Sequence, residues 1–158
     1  DADNSGRATF DEMEDAFQRC LRHARVSRYE LLMLWRRLDA DGSGEVSLDE
    51  FVKMMYRYEL AMWPRSSDAE LSRVVKMVSA AISRWHHVEG NWYKVYLFID
   101  TQGTGTITFE DLQQFLRGTY PGLHLDREEM PSDDMFRLWK ALDTRAQMRV
   151  PKSQFMSF

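Results

Sequence analysis

The stretch Asp39-Ala40-Asp41-Gly42-Ser43-Gly44-Glu45-Val46-Ser47-Leu48-Asp49-Glu50 decides how this chain is read, because oxygen-bearing residues recur in it at a fixed spacing. With Asp39 as loop position 1, acids or hydroxyls stand at positions 1, 3, 5, 9 and 12, and a glycine stands at position 6. The chain opens on the same arrangement, Asp1-Ala2-Asp3-Asn4-Ser5-Gly6-Arg7-Ala8-Thr9-Phe10-Asp11-Glu12. A hard dication such as Ca²⁺ takes about six to eight oxygen ligands, so Asp suits positions 1 and 3 and a hydroxyl suits position 5. Gly6 and Gly44 permit the sharp bend that brings the later ligands round. Position 7 contributes only its backbone carbonyl, which makes Arg7 and Glu45 acceptable there, while Glu12 and Glu50 reach back with both carboxylate oxygens. The candidate ligands are Asp1, Asp3, Ser5, Arg7, Thr9 and Glu12 in the first loop, and Asp39, Asp41, Ser43, Glu45, Ser47 and Glu50 in the second. Two Ca²⁺ sites are expected.

The run Asp49-Glu50-Phe51-Val52-Lys53-Met54-Met55 completes a likeness: the chain resembles the EF-hand superfamily, in particular its calmodulin-like four-hand members. The resemblance is densest over residues 1–58, thinner over 91–117 and thinnest over 132–158. It implies an all-α fold of two EF-hand lobes, each a helix-loop-helix pair with a short β-ribbon between its loops. A third loop runs from Asp100 to Asp111 and keeps Asp100, Thr104, Thr106 and the bending Gly105. It departs from the family with neutral Gln102 at position 3 and the shorter Asp111 at position 12. A shorter acid tends to offer one oxygen where Glu offers two, so this loop is a weakened site, open to Mg²⁺ or Ca²⁺. The fourth loop, Asp143 to Gln154, has Arg145 at position 3, Met148 at position 6, Pro151 at position 9 and Gln154 at position 12. Arg145, Arg149 and Lys152 add positive charge where a dication would sit, so it should hold no metal. Val150 keeps the apolar residue through which paired loops meet in this family, and its expected job is to hold the third loop in shape.

Apolar residues around the loops repeat at three- and four-residue steps, the mark of helices. Met13, Phe17, Cys20 and Leu21 follow the first loop, and Leu31, Leu34, Trp35 and Leu38 precede the second. Ser27 with Glu30, and Ser67 with Glu70, read as capping boxes that start helices near Arg28 and just after Ser67. Trp92, Tyr96 and Ile99 lead into the third loop; Leu112, Phe115 and Leu116 leave it; Met135, Trp139 and Leu142 lead into the fourth. Ser132, Asp133 and Asp134 suit a helix start beside the positive end of its dipole. Gly118 to Gly122, with Pro121 inside, breaks the chain between the third and fourth hands. Leu71, Val74, Val75, Val78, Ile82 and Trp85 form one face of an extra helix that Gly90 ends, read as a spacer or as packing for the second lobe ahead of an autoinhibitory lid over a lobe. The expected division is an N-terminal lobe over 1–60, a linker with the extra helix over 61–90, and a C-terminal lobe over 91–158.

With 158 residues, 44% of them hydrophobic, the chain can bury a real core. A net charge of -4 gives no electrostatic case for nucleic acid as a partner. No apolar run approaches the roughly 20 residues of a membrane span. The single cysteine, Cys20, forms no intrachain disulfide, reads as a small buried hydrophobe, and fits a reducing, cytoplasmic setting. The helix that should precede Asp1 is not in the sequence, so the chain reads as a piece of something longer. No phosphate loop, kinase signature or metal-hydrolase motif occurs, and adjacent His86-His87 is badly spaced for zinc, so no catalytic residue is assigned. The resemblance implies a calcium sensor that engages a protein partner, an amphipathic helix or a large assembly, through a groove lined by Met13, Phe17, Leu34, Trp35, Met54 and Met55. Two alternatives stand beside it. One is a structural EF-hand subunit held in a cytoskeletal or ciliary assembly, for which five Trp, nine Phe and six Tyr speak. The other is the regulatory portion of a longer kinase or channel.

Overall fold

The local sequence sets most helix starts. Five segments open with a Ser or Thr whose hydroxyl and backbone are bound reciprocally to an acid three residues on: Thr9 with Glu12, Ser27 with Glu30, Ser47 with Glu50, Ser67 with Glu70 and Thr108 with Asp111. They begin α1 (Phe10–Cys20), α2 (Arg28–Leu38), α3 (Leu48–Met62), α4 (Asp68–His86) and α6 (Phe109–Arg117). Each box satisfies two otherwise orphaned N–H groups and stabilises its helix by about 1 kcal/mol. The remaining helices are α5 (Trp92–Ile99), α7 (Ser132–Leu142) and the single turn α8 (Lys152–Phe155). The computed structural model describes residues 5–21, 26–86 and 92–158, the side chains of Trp85 and His86 excepted. The fold is all-α, with four two-residue strands: β1 (Arg7–Ala8), β2 (Val46–Ser47), β3 (Thr106–Ile107) and β4 (Val150–Pro151). Gly90, the expected end of α4, lies outside the described residues.

The chain divides into two compact units, Asp1–Tyr58 and Glu59–Phe158. In the first, β1 and β2 pair antiparallel with Ala8 opposite Val46. Trp35, Leu38 and Val46 form the buried core, with Phe10, Met13, Leu34 and Met54 packed against it. The Phe10 and Trp35 rings meet edge to face at 5.7 Å, an attractive arrangement of their quadrupoles. No residue of α1 is fully buried. Cys20 accordingly corrects an expectation: it is exposed, because it ends a helix packed along one side only.

In the second unit β3 and β4 pair antiparallel with Ile107 opposite Val150, both fully buried. Full burial of side chains this size stabilises by about 1.5–3 kcal/mol each. Tyr96, Ile99, Leu112, Phe115, Leu116, Met135, Trp139 and Leu142 are buried as their periodicity requires, and Val95 and Leu138 join them. The extra helix α4 packs against α7 and buries Val74, Val78, Ala81 and Ile82. Asp134 stands in the first turn of α7, as expected, and is only 2% exposed. It accepts from Arg73 of α4 at 2.6 Å and from Arg137 at 3.0 Å, so a buried acid on α7 is paired with a half-exposed arginine of α4. Upstream of α4, Trp63 stacks on Phe136 at 4.5 Å, and its carbonyl accepts from Lys140 Nζ.

Candidate metal centre

The second loop brings its acids together. One carboxylate oxygen each of Asp39, Asp41 and Glu50 lie within 4.8 Å of one another, and no other group of three or more His, Cys, Asp or Glu does so among the described residues. Backbone geometry achieves this. Gly42 and Gly44 take φ of 70° and 83°, a region that a side chain disfavours. The turn they allow aims the Ser43 and Gly44 N–H groups inward, where they donate to Asp39 at 2.8 and 3.0 Å. Ser43 N–H also donates to Asp41 at 2.9 Å, and Ser43 Oγ donates to the Glu45 carbonyl at 2.9 Å. Glu50 returns from the first turn of α3: one oxygen accepts from Ala40 N–H at 3.1 Å and the other from Ser47 N–H and Oγ.

These contacts also settle the charge state. The Ser43 hydroxyl, then its N–H, hold Asp41 below the usual carboxylate range, and the charge of Arg7 adds to the effect. The Ser47 N–H, then its hydroxyl, do the same for Glu50. Both acids are ionised at neutral pH, the form in which carboxylates bind metals. The residues fit a dication of the Ca²⁺ class, which would supply the positive charge that these converging oxygens otherwise lack.

The other loops share this frame to different degrees. Of the first, Asp1 and Asp3 lie outside the described residues. Ser5 Oγ donates to the Arg7 carbonyl at 3.1 Å, and Glu12 accepts from Thr9 N–H at 2.8 Å, as their counterparts do in the second loop. In the third, Asp100 accepts from Thr104 and Gly105 N–H, each at 2.9 Å, and Thr104 Oγ1 donates to the Thr106 carbonyl. Asp111 accepts from Thr108 N–H at 2.8 Å, and Gln102 is exposed at the loop surface. Nearby, burial and then the Asp100 charge push the Tyr96 phenol up.

The fourth loop keeps the frame and its first acid but lacks the acids of positions 3 and 12, where Arg145 and Gln154 stand. Asp143 accepts from Gln147 and Met148 N–H at 3.0 and 2.9 Å, the same pairing that position 1 makes in loops two and three. Ala146 and Met148 adopt positive φ, 50° and 62°, where loops two and three have glycine. Pro151 cannot act as a side-chain cap, so Gln154 turns inward and its Nε2 donates to the Leu142 carbonyl at 2.6 Å and Thr144 Oγ1 at 3.1 Å. An amide donor sits where the second loop has an acceptor.

Of the groove residues, Met13, Phe17 and Trp35 line a cavity of about 420 Å³ in the first unit. Leu34 and Met54, like Met13, pack against the core, and Met55 is exposed. Sequence reasoning missed the ion pair between Arg7 and Glu45, which opposite charges at the same loop position could have signalled. No helix among the described residues is long and apolar enough to cross a membrane.

The comparisons agree with this geometry. The family model for an EF-hand domain pair matches residues 1–56. Calcium-dependent protein kinase 34 of Arabidopsis thaliana is 27% identical over 117 residues, covering 74% of this chain and 17% of that protein. The chain thus spans less than a fifth of the curated relative it matches. Residues 1–56 thus carry an EF-hand domain pair, a calcium-binding module.

Proposed function

We propose that the chain is a calcium-responsive regulatory module whose principal metal centre is the second loop, with Asp39, Asp41, Ser43, Glu45, Ser47 and Glu50 as ligands. The observation that carries the reading is the convergence of Asp39, Asp41 and Glu50 oxygens within 4.8 Å. The first loop is its partner site, with Asp1, Asp3, Ser5, Arg7, Thr9 and Glu12, because β1 and β2 tie the two loops together. Affinity in the sensor range, Kd on the order of 10⁻⁷–10⁻⁵ M, suits such ligand sets. The third loop, with Asp100, Gln102, Thr104, Thr106 and Asp111, is a weaker site for Mg²⁺ or Ca²⁺.

Filled loops would reorient the helix pairs and widen the cavity beside Met13, Phe17 and Trp35 for the apolar face of a partner helix. The test is a calorimetric Ca²⁺ titration with millimolar Mg²⁺ present. Two sites of micromolar or tighter affinity are expected, and Glu50→Gln should weaken the second by at least about tenfold, since it removes the clamp at position 12. An unchanged titration in that variant would sink the assignment. A second reading, the regulatory portion of a longer enzyme, is favoured by the likeness to a calcium-dependent protein kinase. Calcium-dependent activity of the parent protein, lost with Glu50→Gln, would select it over a free-standing sensor.

A further inference from the structure

Position 7 is the one ligand position at which the side chain takes no part in binding. In both loops of the first unit the position-7 carbonyl faces its own loop: Arg7 O accepts from Ser5 Oγ, and Glu45 O from Ser43 Oγ. The side chains leave in the other direction and meet. Arg7 Nη1 lies 3.4 Å from Glu45 Oε2, with both side chains about half exposed. The β1–β2 register permits the meeting: it sets Arg7 opposite Ser47, which leaves Glu45 two residues further along the partner segment, a diagonal within reach of a long side chain. A cation from the first loop is therefore held at the rim of the second, cancelling the charge of an acid that would otherwise add to the attraction for a dication.

We propose that the Arg7–Glu45 pair is an affinity-setting element of the second loop, Arg7 lowering and Glu45 raising its hold on Ca²⁺ through charge alone. This rests on the reading of the second loop given above. Breaking the pair from either side leaves a single unit charge near a doubly charged ion. Across about 10 Å of largely aqueous medium, that changes affinity on the order of two- to fourfold. Arg7→Gln exposes the Glu45 charge and should tighten binding; Glu45→Gln exposes the Arg7 charge and should weaken it. The double variant restores a net charge of zero and should return close to the parent. A pair acting only as a mechanical tie would behave differently, since breaking it from either side would shift affinity in the same direction.

The experiment is a Ca²⁺ titration of the full chain followed by NMR at the Gly44 amide, which donates to Asp39 and so reports the second loop by itself. It is run on the parent, Arg7→Gln, Glu45→Gln, the double variant and Arg7→Lys, at low salt and at about 0.5 M KCl, where screening shortens the range of charge effects. Opposite shifts in the single variants, cancellation in the double, parent-like affinity in Arg7→Lys and convergence of all at high salt are expected. Equal affinities, or weakening in both single variants, would overturn the proposal. A parent Gly44 resonance that ignores Ca²⁺ would overturn the reading of the second loop itself, and this proposal with it.

Discussion

At loop position 12 one side chain serves two ends. Glu50 faces the acids of its loop and also caps α3 through Ser47, so the spacing that suits a metal clamp is also that of a capping box. Gln154 inherits the position without either duty, and its amide closes the fourth loop on Leu142 and Thr144. Gln154→Glu should set a carboxylate against that carbonyl and destabilise the second unit by about 1–3 kcal/mol, read from thermal unfolding. Ala146→Gly should work in the other direction, raising stability by up to about 1 kcal/mol in the same assay, because φ of 50° strains an L-residue. The degeneracy of the fourth loop is legible in the letters Arg145, Met148 and Gln154. The inward amide is not, since it depends on how close Leu142 O and Thr144 come once the loop has turned.

Among elements, the capped helix starts carry a pH dependence. The Ser27 N–H and then its hydroxyl hold Glu30 below the usual range, and Ser67 does the same for Glu70. A depressed folded-state value means that this stabilisation is present above the unfolded carboxylate range and is lost as pH falls through the depressed one. The Ser27 and Ser67 amide resonances, whose groups donate to those acids, should therefore stay put on mild acidification and move only below the range of an ordinary Glu. The seating of α4 depends on Asp134. Asp134→Ala leaves Arg73 and Arg137 without their shared acceptor and should cost about 1–2 kcal/mol in denaturant unfolding of the second unit, since the Arg73 head is half exposed and Arg137 keeps Glu70 within reach. The turn between α6 and α7 makes its own demand: a Cβ on Gly122 would come within 2.4 Å of the Gly118 carbonyl oxygen, so backbone would have to shift. Both the break at Gly118–Gly122 and the start of α4 could be read from sequence. The role of Asp134 could not, because its partner on α4 lies far away along the chain.

For the whole molecule, two units imply unequal responses to calcium. Ca²⁺ at about 100 times its Kd should stabilise the first unit by roughly 2.7 kcal/mol per independent site, since only the folded loop presents the ligands together. In scanning calorimetry with and without chelator, the transition of the first unit should move markedly and that of the second only as far as the third loop binds. Equal movement of both would contradict the ranking of the loops. The sequence by itself determined the loops and the starts of α2, α4 and α7, because ligand spacing, glycine bends and capping signals act within a few residues of one another. Tertiary structure alone decided which apolar residues are buried, leaving Cys20 exposed and Met54 against the core, and which charges meet. Arg7 finds Glu45, and Asp134 finds Arg73, only after strand register and helix packing have brought distant segments within a few ångströms.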